Sequence, residues 1–326
     1  MDQRCKRSKY AWRADDTCIQ NCKIYRGSIM QILSRRRFIY LSSAAAIASI
    51  SACELAGHTI EPDERFPRGQ FGADATADAV TEGIDLRGKT ALVTGCNSGL
   101  GYETMRVLAA RGAHVIGTGR TLEKAEKACA SVAGNTTPVV LELSDFSSAV
   151  HCAESVKALG FPLDILIANA GMSGLRELKV IDGIEQTFRI NYLGHFVLVN
   201  NLLPLVKASP NGRIVHLGSA AAYLRVPEGG IDFDSLRGEK SYGRLQKYGQ
   251  SKLANILFSL QLSKILRDSN ATSNAVHPGL VYTDITRSYP GWFQKVYGIV
   301  MPYIAKTMGE GAATQVYVAT HPDVAG

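Results

Sequence analysis

Thr94-Gly95-Cys96-Asn97-Ser98-Gly99-Leu100-Gly101 is the stretch whose reading decides the fold. It follows a short apolar run, Ala91-Leu92-Val93, and opens a segment with helical spacing from Leu100 to Arg111. Strand, glycine-rich turn and helix, in that order, form the context in which a glycine cluster holds a dinucleotide. Gly95 can take the backbone angles of a tight turn. Gly99 keeps a Cβ away from a pyrophosphate, and Gly101 lets the helix lie close to the sheet. The helix N-terminus then offers unpaired N–H groups and the positive end of its dipole to the phosphates. The spacing is G-x-x-x-G-x-G rather than G-x-G-x-x-G, so this loop alone leaves an ordinary strand-to-helix turn open.

Outward from the loop, the chain alternates between two kinds of segment. Short apolar runs read as strands: Thr90–Thr94, His114–Gly117, Val139–Leu143, Ile165–Ala168, Arg213–Leu217 and Ser273–His277. Between them lie helical stretches at Leu122–Val132, Ser147–Leu159, Ile184–Lys207 and Leu245–Arg267. Short apolar strands with amphipathic crossovers predict an α/β fold, one doubly wound parallel sheet with helices on both faces, over residues 85–326.

A second constellation lies in the last long helical stretch, Tyr248-Gly249-Gln250-Ser251-Lys252. Residues four apart share a helix face, so Tyr248 and Lys252 point the same way. A free tyrosine titrates near ~10 and a free lysine near ~10.4. An ammonium close to the phenol stabilises phenolate, lowers its pKa, and makes the tyrosine a usable acid or base at neutral pH.

Taken in order, these motifs resemble the short-chain dehydrogenase/reductase family from about Ile84 onward, a Rossmann-type fold. Thr94–Gly101 matches its T-G-x-x-x-G-x-G loop, with Gly95, Asn97, Ser98, Gly99, Leu100 and Gly101 against the cofactor, and Tyr248–Lys252 matches its Y-x-x-x-K. Asn169-Ala170-Gly171 matches the N-A-G that ends the fourth strand, and Ser219 takes the place of the catalytic serine. Asn191, in Asn191-Tyr192-Leu193-Gly194-His195-Phe196, matches the helix asparagine. Pro278, Gly279, Val281 and Thr283 match the P-G-x-V-x-T that lies over the nicotinamide. The wording around Asn191 and Tyr248 is similar to the branch holding retinol dehydrogenases and the WW-domain oxidoreductase. The resemblance implies an oxidoreductase that interconverts an alcohol and a ketone or aldehyde. Tyr248 would exchange the proton, Ser219 would fix the substrate oxygen, and Lys252 would bind the nicotinamide ribose. Asn191 would hold a water in a proton relay. Two rivals stay open: a carbon–carbon double-bond reductase on the same fold, and a nucleotide-binding protein without turnover.

Cofactor choice is read at the end of the second strand, where NAD enzymes place an acid for the ribose hydroxyls. Here Gly119 stands in that position with Arg120 next to it. A guanidinium suits a 2′-phosphate, so NADP(H) is favoured and NAD(H) stays open. Glu142, followed by Leu143, stands where the family has the aspartate that contacts adenine. Ala168 replaces the first asparagine of N-N-A-G. Ser219 precedes Tyr248 by 29 positions, roughly twice the usual separation, and the extra segment is expected to shape the pocket or decorate the surface. The family adds a seventh strand after the helix near Gly309–Ala319; the sequence runs out at Gly326, so that strand is expected to be missing and strand six to form an open edge. Apolar residues between Trp292 and Tyr303 suggest a lipophilic substrate, a core-packed helix or a homodimer contact.

The net charge of +7 belongs to the N-terminus. Residues 1–53 hold ten Lys and Arg against three acids; removing them from the totals of 36 and 29 leaves 26 of each. A neutral body gives no footprint for nucleic acid. Residues 1–29 read as disordered, or as sequence upstream of a true start at Met30. Ser34-Arg35-Arg36-Arg37-Phe38-Ile39-Tyr40 fits the twin-arginine export pattern, and the apolar run to Ala52 is too short to span a bilayer. Ile50-Ser51-Ala52-Cys53 resembles a lipoprotein cleavage site with Cys53 as the lipid anchor. Export to a periplasmic or membrane-anchored location is expected for 30–53, with a cytoplasmic location as the alternative and 54–84 as a linker. The seven cysteines form no framework, and no cysteine or histidine spacing suits a metal.

Overall fold

A computed structural model describes residues 70–240, 242–283 and 291–324, apart from the side chains of 292, 293 and 296. The chain divides into Met1–Arg68 and Gly69–Gly326. The first unit, with the export pattern and Cys53, lies outside the described residues.

The strands of the second unit are β1 Thr90–Val93, β2 His114–Gly119, β3 Thr136–Val140 and β4 Ile165–Ala168. A small hairpin follows (β5 Val180–Ile181, β6 Ile184–Glu185), then β7 Arg213–Leu217 and β8 Thr272–Val276. Six of them form one all-parallel sheet in the order β3-β2-β1-β4-β7-β8. The winding reverses between β1 and β4, and the crevice beyond the carboxyl ends there is where such sheets bind ligands. Among the described residues β8 pairs only with β7 and stands at an edge.

The apolar runs were continuous because both faces of the sheet are covered. Val93, Ile167 and Val215 point into one core, under α2 (Gly99–Ala110) and α9 (Met308–Thr320), where Met105, Leu108 and Val316 are buried. Leu92, Leu166 and Ile214 point into the other, against α4 (Phe146–Ala158), α5 (Gly194–Ala208) and α7 (Arg244–Ile265). Each such side chain contributes roughly 1.5–3 kcal/mol relative to exposure. The remaining helices are α1 (Ala77–Val80), α3 (Leu122–Ala130), α6 (Ala221–Leu224) and α8 (Gly291–Ile304).

Three elements differ from the sequence reading. α1 lies inside the stretch read as a linker, yet Ala77 and Val80 are buried in the first core. β3 starts earlier, at Thr136, because Pro138 is tolerated on an edge strand that pairs only with β2. The helix expected from Ile184 instead starts after a hairpin. Asp182 and Gly183 have φ of 47° and 77°, the backbone of a tight hairpin turn that Asp-Gly favours. Glu185 then caps the turn Gln186–Phe188, and a π-helical turn, Arg189–Leu193, leads into α5.

Candidate active site

The glycine loop runs from the end of β1 into α2. Gly95 and Gly99 have φ of 73° and 63°, values that only glycine takes readily. A side chain on Gly99 would meet nothing within 4 Å, so the space over it is open. Ser98 precedes α2 with extended backbone and makes no capping bond through its side chain. The first-turn amides of a 12-residue helix therefore face that space without a cap, an arrangement that fits phosphate. Gly101 lets α2 lie close against the carboxyl ends of β1 and β4. A Cβ there would run into the Gly95 carbonyl and the Asn169 side chain.

Thr94 is a residue the sequence reading quoted without assigning a task. Its hydroxyl accepts the amides of Asn169 and Ala170, both at 2.9 Å, and its carbonyl accepts Asn169 Nδ2 at 2.8 Å. This stitches the ends of β1 and β4 together and sets Ala170 and Gly171 beside the loop. Beyond Gly171 lie Asn191 and Lys252: a Cβ on Gly171 would be 3.3 Å from Asn191 Oδ1 and 3.6 Å from Lys252 Nζ.

Lys252 is 4% exposed and donates to the Leu217 carbonyl at 2.9 Å, which also accepts Asn255 Nδ2 at 3.1 Å. Burial pulls its pKa down to about 8. Its ammonium lies 5.8 Å from the centre of the Tyr248 ring, as the shared helix face requires. Tyr248 is half-buried. Gly249 brings α7 against α6, where a side chain would stand 2.6 Å from the Ala221 carbonyl. Ser219, half-buried just before α6, accepts the Ala221 amide at 3.2 Å, so this contact sets the serine turn against the tyrosine helix.

Asn191 is fully buried in the π-helical turn. Its amide group donates to the Met172 carbonyl (2.9 Å) and Ser251 Oγ (3.0 Å), and its Oδ1 accepts the Met172 amide (2.9 Å). Both side-chain donors are used, so a water could bond to Asn191 only as a donor, and the backbone carbonyl that would accept it also meets His195 Nδ1 at 3.0 Å.

At the adenine end, Gly119 leaves no room for an acid, since a Cβ would sit 2.8 Å from the Ala125 amide of α3. Arg120 is exposed beside it, with no ion pair among the described residues. Glu142 turns onto its own loop, where Oε1 accepts the amide (3.0 Å) and hydroxyl (2.8 Å) of Ser144. Leu143 buries its side chain in the second core, which leaves its backbone for any contact with a nucleotide. Opposite, Gly279 has φ 84° and Val281 packs beneath Gly311 and Leu100. Lys306 ties that loop down: it bonds Leu280 and Tyr282 through its backbone and the Ala73 carbonyl through Nζ. Pro278 and Thr283 flank the same loop.

The long segment between Ser219 and Tyr248 folds back onto α7. Lys247, 3% exposed, donates to the Ser235 carbonyl at 2.7 Å, and Gln250 Oε1 accepts the Asp232 amide at 3.0 Å. The Glu185 amide donates to the Leu236 carbonyl at 2.9 Å. Nothing in the spacing of Lys247 and Gln250 announced this clamp; Lys247 precedes the Tyr248–Lys252 motif and Gln250 is one of its unspecified positions.

The sequence profile of the short chain dehydrogenase family matches residues 89–292. Short-chain dehydrogenase TIC 32 B, chloroplastic, of Brassica napus is 39% identical, over 78% of this chain and 83% of its own. Retinol dehydrogenase 11 of Mus musculus is 40% identical, over 73% and 75%. A solved protein from Mycobacterium paratuberculosis superposes with a TM-score of 0.60 at 31% identity, over 74% of this chain and 80% of that one. A glycine loop of this geometry on this sheet, followed by the Tyr248–Lys252 pair, and a family match across most of the described domain lead to one conclusion: the chain belongs to the short-chain dehydrogenase family.

Proposed function

We propose that this oxidoreductase uses NADP(H) to interconvert an alcohol and a ketone or aldehyde, with Tyr248 as the general acid and base. The observation that carries the reading is the buried Lys252, which has a neutral carbonyl as its partner and its ammonium 5.8 Å from the centre of the Tyr248 ring. An ammonium so placed favours the phenolate. A nicotinamide nucleotide held at the glycine loop and Lys252 would supply the hydride for reduction of a carbonyl carbon. Tyr248 passes its phenolic proton to the oxygen and is left as phenolate beside Lys252; oxidation runs the same exchange backwards. Ser219 hydrogen-bonds the reacting oxygen and fixes its position. A water on the Asn191 carbonyl returns the proton by way of Lys252.

Preference for NADP(H) rests on Arg120 and on the lack of space for an acid at Gly119. A lipophilic substrate is supported by the exposed Tyr223, Leu224 and Phe233 between Ser219 and Tyr248. It is also in keeping with the retinol dehydrogenase resemblance. Phe196 on α5 with Leu257 and Leu260 on α7 are exposed apolar residues suited to a homodimer contact. Export by the twin-arginine route, with lipid attached at Cys53, is proposed from the sequence of 34–53.

The test is a fluorescence titration of NADPH, and separately NADH, into the protein and its Arg120→Ala variant. NADPH should bind tenfold or more tighter than NADH, and the variant should lose that preference by weakening NADPH alone. Equal affinity for both nucleotides in the unaltered protein would overturn the NADP(H) assignment.

A further inference from the structure

His195 is 1% exposed, so it can touch neither a bound nucleotide nor a substrate, yet it lies between the residues that hold them. Its Nδ1 is 3.0 Å from the Asn191 carbonyl and its Nε2 is 2.9 Å from Thr94 Oγ1. The two contacts fix the proton. A carbonyl only accepts, so Nδ1 carries the hydrogen and Nε2 must accept. The Thr94 hydroxyl therefore donates to Nε2, and its lone pairs take the amides of Asn169 and Ala170. Every polar atom in the chain of contacts is then satisfied, with no alternative tautomer.

Full burial keeps this histidine neutral through the physiological range, with its pKa lowered to about 4, and the one-proton arrangement is stable there. One end of the chain is the β1–β4 stitch next to the glycine loop. The other is Asn191, whose amide reaches Ser251, and Ser251 Oγ donates to the Tyr248 carbonyl at 2.7 Å. In the π-helical turn at Arg189–Leu193 the Gly194 amide reaches back to the Arg189 carbonyl, and the ring meets the Asn191 carbonyl within that turn.

We infer that His195 is a positioning residue that couples the floor of the nucleotide site to the catalytic helix, by linking Thr94 to Asn191. The inference rests on the nucleotide-dependent reading above. Its consequence is that a change at His195 loosens both sites together, although its side chain is closed off from nucleotide and substrate.

The experiment uses the full chain with NADPH as the probe. Variants are His195→Phe, which keeps a ring without hydrogen bonds, His195→Gln, Thr94→Val, Thr94→Ser and the double variant Thr94→Val/His195→Phe. NADPH affinity is read by fluorescence titration, and amide exchange by mass spectrometry. His195→Phe should raise the NADPH Kd at least fivefold. It should speed exchange both at Asn169–Ala170 and at Met172, whose amide is held by Asn191. The double variant should bind no more weakly than Thr94→Val alone, because both remove one link. Thr94→Ser should lie closer to the unaltered protein than Thr94→Val does. If His195→Phe fails to fold, His195→Gln is read by the same criteria. Folded His195 variants with NADPH Kd within twofold and exchange unchanged at either end would overturn the inference, as would losses that multiply in the double variant. Failure of the unaltered, folded protein to bind NADPH would instead sink the functional reading, and this inference with it.

Discussion

Lys252 and His216 show what burial does to a titrating group with and without a partner. Lys252 keeps a carbonyl partner and a pKa of about 8, so it is charged at neutral pH and loses that charge as pH rises. Lys252→Met should therefore lower kcat/KM by about 10²-fold or more. Lys252→Arg should carry the alkaline limb of the profile upward, since guanidinium stays protonated. His216 on β7 is fully buried between Ala168 and Ala275 of the neighbouring strands, and neither ring nitrogen has a hydrogen-bond partner among the described residues. Burial lowers its pKa to about 3. The sign follows: on acidification the unfolded chain takes up the proton first, so stability falls from about pH 6.5 toward 3, by up to ~1.4 kcal/mol per pH unit. His216→Val should gain roughly 1–2 kcal/mol at pH 7 and flatten the acid loss, as read from urea unfolding at several pH values. At this scale the sequence was legible where function depends on local spacing. Tyr248 and Lys252 share a helix face by arithmetic alone. Thr94 and His195 meet across 101 positions, and no local signal encodes that contact.

Elements were legible in proportion to how far local pattern decides them. The strands β4 and β7 match their sequence bounds to the residue because each is a short apolar run, buried throughout, with polar or glycine residues at its ends. β3 lies three residues earlier than its apolar run because its edge position admits Pro138 and the polar Thr136 and Thr137. The Asp182–Gly183 turn was present in the sequence but was overridden by the long apolar helix pattern that follows it. Packing between α6 and α7 yields a prediction of its own. Gly249→Ala would place a methyl 2.6 Å from the Ala221 carbonyl, so one helix must shift. A stability loss of about 1–3 kcal/mol is expected, together with a fall in kcat as the turn carrying Ser219 moves. The clamp on the intervening segment yields another. Lys247→Met removes the tie from α7 to the Ser235 carbonyl and leaves that oxygen only the Gly238 amide, so amide exchange over 230–240 should quicken and KM should rise more than kcat falls.

For the whole molecule, the winding reversal between β1 and β4 puts the glycine loop, the N-A-G turn and the catalytic helix at one end of the sheet. That convergence is what a list of motifs cannot supply, although their order predicted it. The apolar residues on α5 and α7 predict a homodimer in light scattering that Leu257→Asp/Leu260→Asp converts to monomer. Tyr248, beside a charged Lys252, is proposed to handle the proton of a nucleotide-dependent carbonyl reduction. The most direct measurement follows the near-ultraviolet absorbance of NADPH with long-chain aldehydes and ketones, for the unaltered protein and Tyr248→Phe. Consumption by the former, with a loss of about 10²-fold or more in a variant that still binds NADPH, is the predicted result. Equal rates from the two proteins would contradict the account.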